Sequence, residues 1–177
     1  MLIYSIGHST HPIERFIELL REHRIAILAD VRAFPKSRRY PHFNSAELER
    51  SLTEASIRYR WFGQLGGRRH GVRPDSPHVA WQNAAFHAYA DYMDTAEFQT
   101  GFEEFFKETA GATTAFMCAE GLWWRCHRRL LSDRLLALGH SVNHIMPNGS
   151  LVEHELPSFA RIVESRIIYD GAIQKES

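Results

Sequence analysis

Short, continuously apolar runs alternate along this chain with segments whose apolar residues recur every three or four positions. The continuous runs predict buried strands at residues 2–7, 25–31, 57–62, 113–118 and 142–146. The helical spacing predicts amphipathic helices at residues 12–23, from Asn44 or Ser45 to about 55, and at 81–93, 95–109 and 124–138. A further helix is expected at residues 157–168.

This alternation is typical of βαβ units, in which a helix connects two parallel strands. We therefore predict a single α/β domain over residues 1–177, with a mostly parallel sheet of about five strands flanked by helices. Its core should span about residues 2–146, followed by a C-terminal extension. Ligands of open α/β sheets bind outside the carboxyl ends of the strands, which makes those ends the first place to search for function.

Chemically capable residues follow most of the predicted strands. The candidates at these ends and at the start of the helix after the fourth strand are His8, Ser9, Thr10, Asp30, Arg32, Gly66, Gly67, Cys118, Glu120, Arg125, Cys126, His127 and Arg128. Because parallel strands end at one edge of a sheet, we expect these residues to converge there.

The bulk composition narrows the classes of protein. Apolar residues make up 44% of the chain and charged residues 24%, as in ordinary globular proteins, and the formal net charge is zero. No apolar run has the roughly 18 residues of a membrane span, and the N-terminus lacks the pattern of a signal peptide. The two cysteines therefore indicate a cytoplasmic protein with reduced thiols and no membrane partner.

The charges are unevenly distributed although they cancel overall. Basic residues concentrate between Arg32 and Arg73 and again from Arg125 to Arg129, whereas acidic residues concentrate between Asp91 and Glu108. This segregation favours a basic face that binds an anion, although two solvated faces would give the same pattern.

Glu120 and Asp30 are the acid/base candidates, and each could instead be the structural partner of an arginine. His8 and His127 could assist proton transfer, and His127 could equally be a satisfied, partly buried histidine. Around the start of the last helix, Arg125, Cys126 and Arg128 should favour an anion, because unpaired N–H groups and the helix dipole add to the guanidinium charges. Arg32 should join them, with Ser9, Thr10, Gly66 and Gly67 also contacting the ligand.

Cys118 has two interpretations. At the end of a buried strand it can be a small core residue, or it can be a nucleophile if positive groups lower its pKa. Cys118, Cys126, His127 and His144 are residue types that bind zinc, but seven residues separate the two cysteines, which matches no zinc-finger or zinc-ribbon spacing. The sequence leaves the cofactor unknown, and a metal is possible but not favoured.

Several of these short motifs together resemble the DUF488 family of bacterial proteins. The resemblance lies in Tyr4-Ser5-Ile6-Gly7-His8-Ser9, Asp30-Val31-Arg32 with Pro35 and Ser37, Leu65-Gly66-Gly67, Cys118-Ala119-Glu120 and Cys126-His127-Arg128. It implies that these motifs belong together in a bacterial, cytoplasmic protein, and it implies no mechanism.

Three functions are compatible with these residues. The leading hypothesis is an enzyme, a hydrolase or transferase, that acts on a phosphate-containing nucleotide or nucleic acid. The alternatives are a thiol- or metal-dependent enzyme that uses Cys118, Cys126 and His127, and a non-catalytic module that binds nucleic acid or another partner.

Overall fold

Thirteen regular elements follow one another in the computed structural model, which describes residues 1–171. The strands are β1 (Leu2–Gly7), β2 (Ile27–Asp30), β3 (Arg58–Trp61), β4 (Thr114–Cys118), β5 (Ser141–Ile145), β6 (Leu151–Glu153), β7 (Arg161–Val163) and β8 (Arg166–Ile168). The helices are α1 (Ile13–Glu22), α2 (Ser45–Glu54), α3 (Ala84–Met93), α4 (Ala96–Thr109) and α5 (Arg128–Ala137). Short 3-10 turns occur at Pro41–Phe43, Gly63–Leu65 and Trp123–Arg125.

The predicted α/β fold is confirmed. Strands β1 to β6 form one sheet in the order β3-β2-β4-β1-β5-β6, in which all pairs are parallel except β5 with β6. Strands β2 and β4 are buried along their whole length, as expected for a parallel sheet covered on both faces. Strand β4 lies between β1 and β2, so the ends of these three strands are neighbours.

Alternate residues of the strands enter two separate apolar layers. Ile6, Leu28 and Met117 pack against α1 and α2, whereas Phe116 and Cys118 belong to the layer under α3, α4 and α5. This alternation follows from the two-residue period of a strand. It places the Cys118 side chain on the same face of the sheet as α5.

One predicted helix start and one predicted helix are wrong. The helix expected at 124–138 begins only at Arg128, because Trp123–Arg125 form a 3-10 turn and Cys126 is extended, with φ −138°. The helix expected at 157–168 is instead the β7–β8 hairpin. Its turn residues, Glu164 and Ser165, both have positive φ angles, 48° and 66°, as a two-residue hairpin turn requires.

Within residues 1–171, none of the helices combines the length and the apolar character that crossing a bilayer requires.

Candidate functional site

The loops after β1, β2 and β4 are held side by side by backbone hydrogen bonds that continue the sheet. The amide of His8 donates to the Cys118 carbonyl (2.9 Å), and that of Val31 donates to the Met117 carbonyl (2.9 Å). Gly7 allows this close approach, since a Cβ there would lie 1.9 Å from the Glu120 carbonyl oxygen. The predicted convergence of the strand ends is therefore present.

A cavity of about 760 Å³ opens at this edge. Its lining includes most of the predicted site residues, namely His8, Ser9, Thr10, Arg32, Gly67, Cys118, Glu120, Arg125, Cys126 and His127. It also includes Lys36, Arg39 and Arg68, which the sequence indicated only as part of a basic stretch. Among residues 1–171, five lysine or arginine side chains thus line the cavity against one carboxylate, which favours an anionic occupant.

The two cysteines meet in the wall of this cavity. Their Sγ atoms are 3.1 Å apart, and both thiols are free. Cys118 is 4% exposed, whereas Cys126 is only partly buried. The backbone N–H and Nε of Arg128 both point at Cys126 Sγ, at 3.4 and 3.2 Å. Several donors therefore point at Cys126 Sγ, while Cys118 Sγ lies behind it.

These surroundings separate the pKa values of the two thiols. Burial alone would raise the pKa of Cys126, but the hydrogen bond from Cys118, the charge of Arg128 and the first N–H of α5 outweigh it and hold that pKa well below its usual range. Burial and the hydrogen bond to Cys126 raise the pKa of Cys118 well above its usual range. These surroundings favour the thiolate form of Cys126 and the thiol form of Cys118.

Arg128 stands behind the cysteines and does not line the cavity. Its side chain is fully buried, and it donates to Ser5 Oγ (3.1 Å) and to the backbone carbonyls of Glu120 and Gly121. The guanidinium therefore ties the turn after β4 to the start of α5. Its charge acts on Cys126 rather than on an anion bound in the cavity.

Asp30 is placed as a structural partner of Arg32. Its buried carboxylate accepts from Arg32 Nε (2.9 Å) and Nη2 (2.6 Å) and from the Tyr59 hydroxyl (2.7 Å). Arg32 itself lines the cavity. The ion pair thus holds a guanidinium at the cavity wall, and the carboxylate is out of contact with the cavity.

Glu120 is exposed in the cavity wall, and its carboxylate accepts from the amide of Leu122 at 3.2 Å. The exposed position keeps it accessible to a ligand. Its best-defined contact is nevertheless made by its backbone carbonyl, which accepts from Arg128. The Glu120 carboxylate is therefore available to a ligand, while the Glu120 backbone fixes the turn by accepting a hydrogen bond from Arg128.

Two histidines complete the wall, and both are held neutral. Burial lowers the pKa of His8 to about 4 and also lowers that of His127. His8 is stacked on Phe43 at 4.2 Å, and its Nδ1 contacts the Ser9 carbonyl. His127 Nε2 contacts the Val31 carbonyl at 3.0 Å, which leaves Nδ1 as the unprotonated nitrogen.

Gly66 and Gly67 bring the loop after β3 against these elements. A Cβ on Gly66 would lie 2.6 Å from Ala33 Cα, and a Cβ on Gly67 would lie 2.5 Å from His127 Nδ1. Gly67 lines the cavity and Gly66 packs behind it. The two glycines, predicted to contact the ligand, are thus also required for packing, since larger residues would displace Ala33 and His127.

A second polar cluster extends from Arg128 away from the cavity. Ser5 Oγ contacts His144 Nδ1 (2.8 Å), and His144 Nε2 contacts His154 Nδ1 (2.9 Å). His154 Nε2 then contacts Asp133 Oδ1 (2.7 Å). We call this row from Ser5 to Asp133 the buried relay. It ends at Tyr169, whose hydroxyl donates to the other Asp133 oxygen at 2.6 Å.

Sequence reasoning missed most of the buried relay. The available signal was Ser132-Asp133 within the apolar stripe of α5, where Leu130, Leu131 and Leu135 are buried. A polar pair in such a stripe requires hydrogen-bonding partners inside the protein.

Cys118, Cys126 and His127 are also the residues that could hold a soft metal ion. Their ligand atoms lie within 4.8 Å of one another, and the contact of His127 Nε2 with a carbonyl is the arrangement that orients a metal-binding imidazole. The buried charge of Arg128 beside Cys126 opposes a second cation at the same sulfur. We therefore assign no metal to this cluster.

The fold is an open, mostly parallel α/β sheet. At its carboxyl edge, two adjacent thiols lie in the wall of a basic cavity. The chain belongs to the family described as "Domain of unknown function DUF488", whose model matches residues 12–135. This match includes the loop after β2 and both cysteine motifs, and it confirms the resemblance noted in the sequence. Comparisons with curated proteins and with solved structures give no match.

Proposed function

We propose that this protein is a thiol-dependent enzyme that binds a small anionic substrate in the basic cavity and attacks it with Cys126. The observation that carries the proposal is the hydrogen bonding of Cys126 Sγ. Cys126 Sγ is in hydrogen-bond contact with the Cys118 thiol and with two N–H groups of Arg128, and Cys126 lines the cavity. Such donors favour a thiolate, which is the nucleophilic form of cysteine.

The cavity has the size and the charge for a small anion. Its volume of about 760 Å³ lies within the range of small-molecule sites, roughly 300–1,000 Å³. Arg32, held by Asp30, and Arg125, at the turn before α5, supply guanidinium groups that suit a phosphate or a carboxylate. Phe34 and Phe86 add apolar surface for the remainder of the substrate.

This proposal gives Asp30 and Glu120 different parts from the paired acid/base roles suggested by the sequence. Asp30 is fully buried and holds Arg32, so it contributes through the position of that guanidinium. Glu120 is accessible and is the carboxylate available for proton transfer to a leaving group. A phosphate-bearing substrate remains within this proposal, as one form of the anion.

The proposal also has a cellular requirement. Two thiols 3.1 Å apart stay reduced only in a reducing compartment. We therefore propose a cytoplasmic location in a bacterium, in agreement with the resemblance of the motifs.

Competing alkylation by iodoacetate and iodoacetamide tests the proposal, because the two reagents share a leaving group and differ in charge. Peptide mapping by mass spectrometry would report the rate at Cys126, with a small free thiol as the reference. We expect Cys126 to favour iodoacetate several-fold more than the free thiol does, since the basic wall concentrates anions. Arg125→Gln should reduce this preference, whereas Lys107→Gln, at an exposed position outside the cavity, should not.

Two results would contradict the proposal. One is a Cys126 that reacts with the reagent preference of the free thiol. The other is reactivity that persists in Cys126→Ser, which would assign the reactive thiol to Cys118.

A further inference from the structure

The two thiols differ in exposure and in hydrogen bonding, the properties that distinguish an attacking cysteine from one that reacts in a second step. Cys126 lies in the cavity wall with three hydrogen-bond donors, whereas Cys118 is almost fully buried at the end of β4. Their Sγ atoms are 3.1 Å apart, and a disulfide bond is about 2.05 Å long. A movement of about one ångström therefore separates the dithiol from a disulfide.

We propose that Cys118 resolves the covalent adduct formed at Cys126, so that the enzyme reduces an anionic disulfide by two electrons. This inference rests on the proposed function, because it requires Cys126 to be the nucleophile. It adds the reaction type, the class of substrate and a role for the second cysteine.

The reaction balances in two exchanges. Cys126 Sγ attacks one sulfur of the substrate disulfide, a new Cys126–substrate S–S bond forms, and the other half of the substrate leaves as a thiolate. Cys118 then loses its proton to a departing thiolate and attacks Cys126 Sγ. The Cys118–Cys126 disulfide forms, and the second half of the substrate leaves. The substrate gains two electrons, and the dithiol loses two.

A further reductant must restore the dithiol after each cycle. A cellular dithiol fits this role, because it reduces a protein disulfide through the same exchange chemistry. The cavity gives such a reductant access to the new disulfide, since both cysteines line it.

The wall of the cavity defines the charge of the substrate. Arg32, Arg68 and Arg125 line the cavity together with the sulfur atoms. A disulfide that carries carboxylate or phosphate groups would be attracted there, and a cationic disulfide would be repelled. Oxidised glutathione and cystamine form a suitable pair of probes, because the first is an anionic disulfide and the second a cationic one.

The test uses the full-length reduced protein, oxidised glutathione and intact-protein mass spectrometry in the presence of a chelator. The wild-type protein should release both glutathione halves and end with a Cys118–Cys126 disulfide and no adduct. Cys118→Ser should release one half and retain the other on Cys126. Cystamine should react about tenfold more slowly than oxidised glutathione, after correction for the rates with a free thiol.

The outcomes separate this inference from the proposed function. A wild-type protein that retains glutathione on Cys126 with Cys118 free would overturn the resolving role and leave the nucleophile intact. Equal corrected rates for the two probes would overturn the anionic substrate class. A Cys126 that reacts with neither probe but is alkylated by iodoacetate would overturn this inference alone, and one that also resists iodoacetate would overturn both proposals. Circular dichroism of each variant would verify that it is folded.

Discussion

Arg128 separates two polar clusters of very different character. The buried relay contains a serine, two histidines and an aspartate in hydrogen-bond contact, which are the residue types of hydrolytic triads. Ser5, His144 and Asp133 are nevertheless fully buried and outside the cavity. The sulfur pair on the other side of Arg128 has fewer polar groups, yet it faces the cavity.

Access to the cavity, rather than residue type, separates the two clusters, and on this ground we propose the sulfur pair and not the buried relay as the reactive centre. In the buried relay each polar atom has a protein partner, so its chemistry is already satisfied by the fold. At the sulfur pair, Cys126 is supplied with donors and still exposes surface to the cavity. Arg128 serves both, by donating to Ser5 and by standing beside Cys126.

The largest effect should come from removing the end of the buried relay. Asp133→Ala leaves the donors of His154 and Tyr169 without a partner inside the protein. We expect the free energy of unfolding to fall by about 3–5 kcal/mol, measured by urea denaturation. The alkylation rate of Cys126 in the folded protein should stay within about twofold, because Asp133 acts on stability and does not contact the sulfur.

A matched experiment on the sulfur pair should give the opposite result. Cys126→Ser should change the unfolding free energy little and remove the thiol reactivity. If Asp133→Ala abolished Cys126 reactivity in folded protein, the two clusters would be one functional unit, and the comparison would fail.

The cavity wall, through His8, and the buried relay, through His144, should also differ in their response to acid. Burial lowers the pKa of His8 to about 4 and that of His144 to about 2, from 6.5. The unfolded chain therefore takes up protons first, and stability is lost as the pH falls below 6.5. Between pH 6.5 and its own lowered pKa, each histidine should decrease the free energy of unfolding by about 1.4 kcal/mol per pH unit. This range ends near pH 4 for His8 and near pH 2 for His144.

Urea denaturation between pH 6.5 and 4 would measure this slope. His8→Gln should reduce the slope of unfolding free energy against pH by the contribution of one histidine, since glutamine does not titrate. An unchanged slope in that variant would show that His8 is not the buried neutral base described above.

The smallest effect should come from Gly67→Ala at the cavity wall. The added Cβ would lie 2.5 Å from His127 Nδ1, so His127 or the loop must shift. We expect a loss of about 1–3 kcal/mol, the range for overpacking, together with a changed alkylation rate at Cys126, which precedes His127. Unchanged stability and reactivity would show that this contact does not shape the site.

Much of this picture could be predicted from the sequence, because buried parallel strands have a strong local signature. The apolar runs that became β1, β2 and β4 located the sheet edge, and Cys118 and Asp30 followed as its end residues. The same strand pattern predicts that His8 and Arg32 lie at this edge, and both line the cavity.

The sequence could not distinguish groups that face the cavity from groups that face inward. The sequence pattern predicts that Arg128 binds an anion, yet its position at the first turn of α5 directs it to Ser5 and to the backbone of the turn after β4. The approach of Cys118 to Cys126 depends on the 3-10 turn and the extended Cys126, which replaced the predicted helix start. Both features are set by tertiary packing and leave no local periodicity.

The proposed chemistry depends most directly on Cys126 losing its proton at a lower pH than an ordinary thiol, while Cys118 keeps its proton to a higher pH. An ultraviolet titration of thiolate absorbance, with the Cys126→Ser curve subtracted, measures this directly. The account predicts a Cys126 midpoint well below the ordinary thiol value of 9.0, and a residual Cys118 midpoint above it. A Cys126 midpoint at or above 9.0 would contradict the account, because the donors around its sulfur would then fail to stabilise a thiolate.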